Sequence, residues 1–300
     1  MRRAGSKKAR AAANRDAAFG AALCEFVREF PVQHRLMFDP VSIPHRYRAP
    51  EDIEVVALVA ACLAYGRADR FTRCIEEVVG RMIPTPSRFA ESLARAPNVD
   101  VFSGIRYRFN QPDDLAALVA GIGWMRLTHN GLGARFKDLF APHGMRSALA
   151  IFAEEIREAP PVLEMLRGGS TRGFRFLIPD ARGPGACKRL NLYLRWMVRG
   201  PDQVDFGLWN GIRPKDLLIP LDTHVARVSR AIGLTNRSDL SWRTAEEITG
   251  ALSAVDPTDP TRFDFALCHY AMSGQPLEQL ARRLGLDRPS SARVAQTSRC

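Results

Sequence analysis

The sequence predicts an all-α fold, and three observations carry that reading. Apolar residues recur at helical spacing through most of the chain, proline and carboxylate residues repeatedly stand where a helix would begin, and no alternating run is long enough to make a strand. No internal repeat is apparent.

Taken in order, Asp16–Phe30 reads as a first helix ended by Pro31, and His34–Pro50 reads as irregular, punctuated by Pro40, Pro44 and Pro50. Pro50-Glu51-Asp52 opens a second helix, because proline suits the first helical position and carboxylates suit the positive end of the helix dipole. Its body, Ile53–Leu63, is apolar at almost every position except Glu54, which is the composition of a helix set inside a core. Tyr65-Gly66-Arg67 ends it, and a more amphipathic helix follows to Met82. Pro112-Asp113-Asp114 starts another, running through Trp124 and Met125, with shorter helices over Leu132–Phe140, Arg146–Glu158 and Pro160–Leu166. A Gly- and Pro-rich loop, Gly168–Gly185, precedes the helix Ala186–Arg199, and Gly200–Leu221 reads as connector. Helices over Thr223–Ile232, Ser241–Ala254 and Arg262–Met272 follow, then one short helix after Gly274. The organisation expected is a basic disordered tail over residues 1–19, a helical domain over 20–275, and a short helix with a basic polar tail over 276–300.

Composition narrows the function classes. No stretch of about 18 consecutive apolar residues is present, so no membrane span is expected. The basic Met1–Arg15 segment is not followed by an apolar signal core, and a cytoplasmic protein is the simplest expectation. The six cysteines are scattered without a CxxC pair, so neither a zinc site nor a four-cysteine iron–sulfur cluster is expected. The net charge is +11, but residues 1–20 hold six Lys/Arg against one Asp and residues 281–300 five Arg against one Asp. Most of the surplus therefore lies in the tails, which attract any polyanion without preference. Inside the body, residues 182–230 hold nine basic residues against four acidic ones, a local concentration that coincides with the motif described next.

Lys188 opens the helix CKRLNLYLRWMVR, in which Lys188, Asn191, Arg195 and Arg199 fall on one polar stripe opposite Leu190, Tyr193, Leu194, Met197 and Val198. The positive end of the helix dipole and the adjacent Arg189 favour the neutral amine, the form a Schiff-base nucleophile requires. A solvated lysine on an amphipathic surface is the plain alternative. Asp222, in Ile219-Pro220-Leu221-Asp222-Thr223-His224, stands with Thr223 at a helix start, where capping is the structural role and stabilisation of positive charge on a sugar the functional one. Tyr65 and Arg67 carry two readings as well: a base-stacking ring and a phosphate or base contact, or core closure beside a glycine cap. Arg106-Tyr107-Arg108-Phe109 is a basic–aromatic run that suits nucleic acid or loop anchoring equally. Trp124, Trp196, Trp209 and His269 read as core.

The segment 186–230 resembles the catalytic region of helix-hairpin-helix DNA glycosylases, where a hairpin carries a lysine at the start of one helix and an aspartate follows at the start of a later one. Asp222 follows Lys188 by 34 residues, a spacing like that of the archaeal 8-oxoguanine DNA glycosylase family. ACKRLNLYLRWMVR, VDFGLW, IPLDTHVARVSR and LAYGR together most closely resemble an uncharacterised bacterial family assigned to the same superfamily, over most of residues 20–275. The resemblance implies two helical lobes flanking a cleft and a base-excision glycosylase, with or without AP lyase activity, acting on a damaged base in double-stranded DNA, with 8-oxoguanine the first candidate. It implies Lys188 and Asp222 as the catalytic pair, Tyr65, Arg67, Arg189, Arg195 and Lys215 as DNA contacts, and a monomer needing no cofactor or metal. The chain departs from the pattern in lacking an LPGVG-type hairpin turn, for which Gly207–Ile212 is the substitute on offer, and in lacking the carboxyl-terminal iron–sulfur cysteines of some members. The rival readings are a non-catalytic nucleic-acid-binding relative and a helical interaction protein whose basic tails recruit RNA or acidic partners.

Overall fold

The computed structural model describes residues 16–286, and the sequence-predicted basic tails lie largely outside them. Among the described residues every regular element is helical, and β-structure is confined to isolated bridge residues such as the pair Tyr107 and Asn110. The described residues divide into two compact units, one of Gln33–Asp216 and one joining the described parts of Met1–Val32 and Leu217–Cys300. The helical domain expected over 20–275 thus comprises two bodies, with the catalytic-region resemblance spanning the boundary at 216/217.

In the larger unit the helix Pro50–Leu63 is central, with Val55 through Leu63 fully buried. It packs against Lys188–Val198, Pro86–Arg95 and Pro112–His129. Burying each of its large aliphatic side chains contributes about 1.5–3 kcal/mol, which outweighs the modest helix propensity of its valines. Pro112–His129 begins with proline at its first position and Asp114 accepting the Gln111 backbone N–H at 2.9 Å, and it ends at Asn130 in the left-handed region (φ 56°). A continuous helical path over Leu132–Arg157 is broken at Gly144, where φ is 71°, two residues after Pro142. This kink coincides with the expected boundary between Leu132–Phe140 and Arg146–Glu158.

In the smaller unit a helix over residues 16–28 accompanies Thr223–Ala231, Trp242–Ser253, Asp264–Met272 and Leu277–Arg283. Leu23, Phe26, Val225, Val228, Ile248, Leu252, Phe263 and Leu267 form its core. Phe26 meets Tyr270 edge-on at 5.7 Å, and Arg283 bonds Glu29, tying the last described helix to the first. His269 is buried with its ring 4.2 Å from that of Phe265.

Candidate functional site

Lys188 stands at the first position of the helix Lys188–Val198, in the larger unit, half-buried. The short helix Arg172–Leu177 precedes it, and residues 178–187 make the turn that joins the two. This turn is anchored from the helix behind it: Arg146 donates to Ala181 O at 2.9 Å and Gly183 O at 3.0 Å, and Arg157 donates to Ile178 O at 3.1 Å. Cys187, the N-cap, has φ 48°, and Asn191 reaches back to donate to Ala186 O at 2.9 Å. A helix–turn–helix unit therefore delivers Lys188 from upstream. Residues 207–212, the substitute hairpin turn on sequence grounds, instead form connector between the helix and the single 3-10 turn Pro214–Asp216.

The polar stripe expected on this helix is not a surface. Asn191 is 1% and Arg195 2% exposed, and Arg199 is buried as well. The cause lies in residues 199–206, which fold back along the helix: Phe206 N donates to Trp196 O at 2.8 Å and Trp209 N to Met197 O at 2.9 Å. This brings the fully buried Asp205 carboxylate to Arg195 Nη2 at 3.1 Å and to Arg199. Burial raises the Asp205 pKa, against the two guanidiniums that hold it down. Arg195 is thus half of an internal ion pair and not a phosphate contact.

Arg189 is likewise engaged inward. It donates to Cys62 O at 2.7 Å, capping the carboxyl end of the central helix, and to Phe176 O, while its guanidinium lies 4.2 Å over the Phe176 ring. Burial lowers its pKa. The Cys62 carbonyl it satisfies lies at the end of the buried central helix, so a structural role explains the residue without a phosphate.

Tyr65 is half-buried just after the central helix. Its hydroxyl donates to Asn110 Oδ1 and to Tyr107 O at 3.3 Å, and the Tyr107 hydroxyl donates back to Tyr65 O. Burial pushes the Tyr65 phenol far up, so it remains protonated. Its ring packs 4.8 Å from Phe176 and 5.9 Å from Phe109, both of which are open to solvent. Arg67 is exposed at the start of the helix Ala68–Gly80 and pairs with Asp69 at 3.1 Å. Lys215 is exposed in the turn Pro214–Asp216. Phe176 lies in the stretch Gly168–Gly185 read as loop from sequence, part of which the structure folds as the helix Arg172–Leu177, and it is not among the expected site residues.

Asp222 lies in the smaller unit as the N-cap of Thr223–Ala231, its Oδ1 accepting from His224 N and Val225 N at 2.9 Å each. Among the described residues no group of three or more His, Cys, Asp or Glu is placed to hold a metal ion, and no helix is long and apolar enough to cross a membrane.

Residues 39–273, which take in most of the larger unit, part of the smaller one and every candidate site residue, match a family described as protein of unknown function, DUF2400. The chain belongs to the DUF2400 family. No curated protein and no solved structure matches it. The DUF2400 match excludes residues 1–38 and 274–300, so the basic tails that hold most of the net charge lie outside it.

Proposed function

We propose that this DUF2400 chain is a helix-hairpin-helix DNA glycosylase of base-excision repair, with Lys188 as nucleophile and Asp222 as its electrostatic partner. The observation that carries the reading is the placement of Lys188: a half-buried amine at the first position of a helix entered from a tightly anchored helix–turn–helix unit. Asp222, capping the start of a later helix, supplies the second element of the same pattern.

The chemistry follows from those two groups. A damaged nucleotide must leave the base stack before C1′ can be attacked. The neutral Lys188 Nζ forms a bond to C1′ as the C1′–base bond breaks, and the base leaves with its bonding electrons and takes up a proton. Opening of the sugar ring breaks the C1′–O4′ bond, the attacking nitrogen losing a proton and O4′ gaining one, and gives the protonated imine. The Asp222 carboxylate stabilises the positive charge that develops on the sugar. Lys215 and Arg67 remain the candidate phosphate contacts, with 8-oxoguanine the first lesion to offer.

Borohydride trapping tests the proposal. Wild-type protein mixed with duplex containing 8-oxoguanine or an abasic site should yield a covalent protein–DNA adduct, and Lys188→Gln should abolish it while leaving the thermal unfolding transition in place. A wild type that never traps and releases no base across a lesion panel overturns the enzyme reading, and DNA affinity surviving removal of residues 1–15 and 287–300 would then favour a binding protein.

A further inference from the structure

A rigid aromatic tip stands on the larger unit. Tyr107 and Asn110 bond each other through N···O contacts of 3.2 and 2.9 Å, closing a tight turn with Arg108 and Phe109 at its apex. Arg108 has φ 56°, a conformation that glycine or asparagine would adopt at lower cost. Phe109 is 44% exposed, and beside it at 4.7 Å is Phe176, 38% exposed. Neither choice is explained by stability: such a turn favours small polar residues, and two open phenyl rings forfeit the burial that would stabilise them.

Beneath the tip everything is fixed. The Tyr65 hydroxyl is held by Asn110 and Tyr107, and Asn110 Nδ2 donates to Asp114, which also accepts from Thr171. Gly66, at φ 85°, lies so close that a Cβ would sit 2.9 Å from both Arg108 Nη1 and the Tyr107 hydroxyl. The turn that carries Phe109 is therefore held without a ligand, which lowers the ordering cost when one binds.

The charge on the same three segments, 65–70, 106–109 and 172–176, names the occupant. They expose Arg67, Arg70, Arg106, Arg108, Arg172 and Arg175 against one acid, Asp69, which Arg67 already engages. Flat rings fixed within a basic rim match a polyanion that presents flat faces at intervals. We propose that Phe109 and Phe176, flanked by Arg108, form a stacking platform for an unpaired nucleobase of opened duplex DNA. The inference deepens the glycosylase reading, resting on DNA as ligand but not on turnover.

The test is equilibrium binding by fluorescence anisotropy in the Lys188→Gln background, which removes turnover from the measurement. Three probes are used: a fully paired duplex, the same duplex with one base facing an abasic site, and vesicles of phosphatidylcholine with phosphatidylserine. Phe109→Ala and Phe176→Ala should each weaken binding to the opened duplex by about tenfold while leaving paired-duplex affinity within about twofold. Phe109→Trp, which keeps a stacking face, should restore the preference. Both residues are exposed, and unchanged circular dichroism separates lost stacking from lost folding. Alanine variants that bind opened duplex as the parent does overturn the proposal, as does a loss confined to vesicle binding. Failure of borohydride trapping would leave this result standing, and failure here would leave trapping standing, so the two readings fall separately.

Discussion

The Trp209 indole N–H donates to Glu54 Oε1 at 2.6 Å, joining the connector after the Lys188 helix to the single charged residue in the body of the central helix. Gly133 N donates to the same oxygen at 3.1 Å, and Arg126 holds the other at 3.2 Å. Burial raises the Glu54 pKa from its ordinary value, while Trp209, Arg126 and Gly133 pull it down.

Trp209→Phe removes that N–H and should destabilise the larger unit by about 1.5–3 kcal/mol wherever Glu54 is ionised, a hydrogen bond to a buried charge being lost. The sign of its pH dependence is fixed. The indole stabilises the ionised form, so its contribution is present above the folded-state pKa of Glu54 and fades as pH falls through it. Urea unfolding at several pH values should show wild type and variant converging on the acid side. A gap independent of pH would assign the loss to ring packing against Phe136 and Tyr193 instead.

Asp205 is the second buried carboxylate on which this region depends. Asp205→Asn leaves the Arg195 and Arg199 guanidiniums without their shared counter-ion, and breaking a buried pair of this kind costs about 3–5 kcal/mol. Arg195→Gln should likewise lower the unfolding temperature by several degrees, measured by calorimetry. A variant that keeps wild-type stability and loses only DNA affinity would restore Arg195 to the surface role its sequence position suggests.

That contrast shows where the sequence is legible and where it is not. Helices opened by proline, such as Pro50–Leu63 and Pro112–His129, follow from local chemistry and appear where the pattern places them. Glu54 stands out in sequence because a lone charge in an apolar helix must find a partner. Pro86–Arg95 falls outside the sequence expectation although Thr85 at its N-cap and Pro86 at its first position are signals of the same type. Arg195 and Arg199 are a different case. Periodicity identifies the polar face of a helix but not what covers it, and the cover here is Asp205, carried by a loop whose return path only tertiary packing sets. Phe176 is similar: nothing local distinguishes an exposed phenyl ring from a core one. For the candidate pair, the sequence places Lys188 and Asp222 at helix starts and the structure has them there; which reaction they serve is a question for the trapping experiment.

Glycine gives a pair of predictions with opposite signs. A Cβ on Gly123 would lie 1.9 Å from the Ala90 carbonyl oxygen, so the helix Pro112–His129 touches the backbone of Pro86–Arg95 at that point. Gly123→Ala should force the two helices apart and cost about 3 kcal/mol or more. Gly250, within the helix Trp242–Ser253, has open space around its Cβ position, so Gly250→Ala should stabilise the smaller unit by up to about 1 kcal/mol. Thermal unfolding of both variants checks the signs, and a neutral Gly123→Ala would deny the backbone contact.

Asp222 offers the sharpest separation of structure from chemistry. Its Oδ1 accepts two backbone N–H groups, and an asparagine side-chain oxygen can accept the same pair. Asp222→Asn should therefore hold the helix Thr223–Ala231 at nearly wild-type stability, whereas Asp222→Ala loses the cap and about 1 kcal/mol. If the carboxylate stabilises charge on the sugar, Asp222→Asn and Asp222→Ala should both depress the rate of base release by roughly a hundredfold or more, despite their different stabilities, because charge and not capping is what they share in losing. A rate that tracks stability instead, near wild type for asparagine and reduced only for alanine, would make Asp222 a helix cap and nothing more.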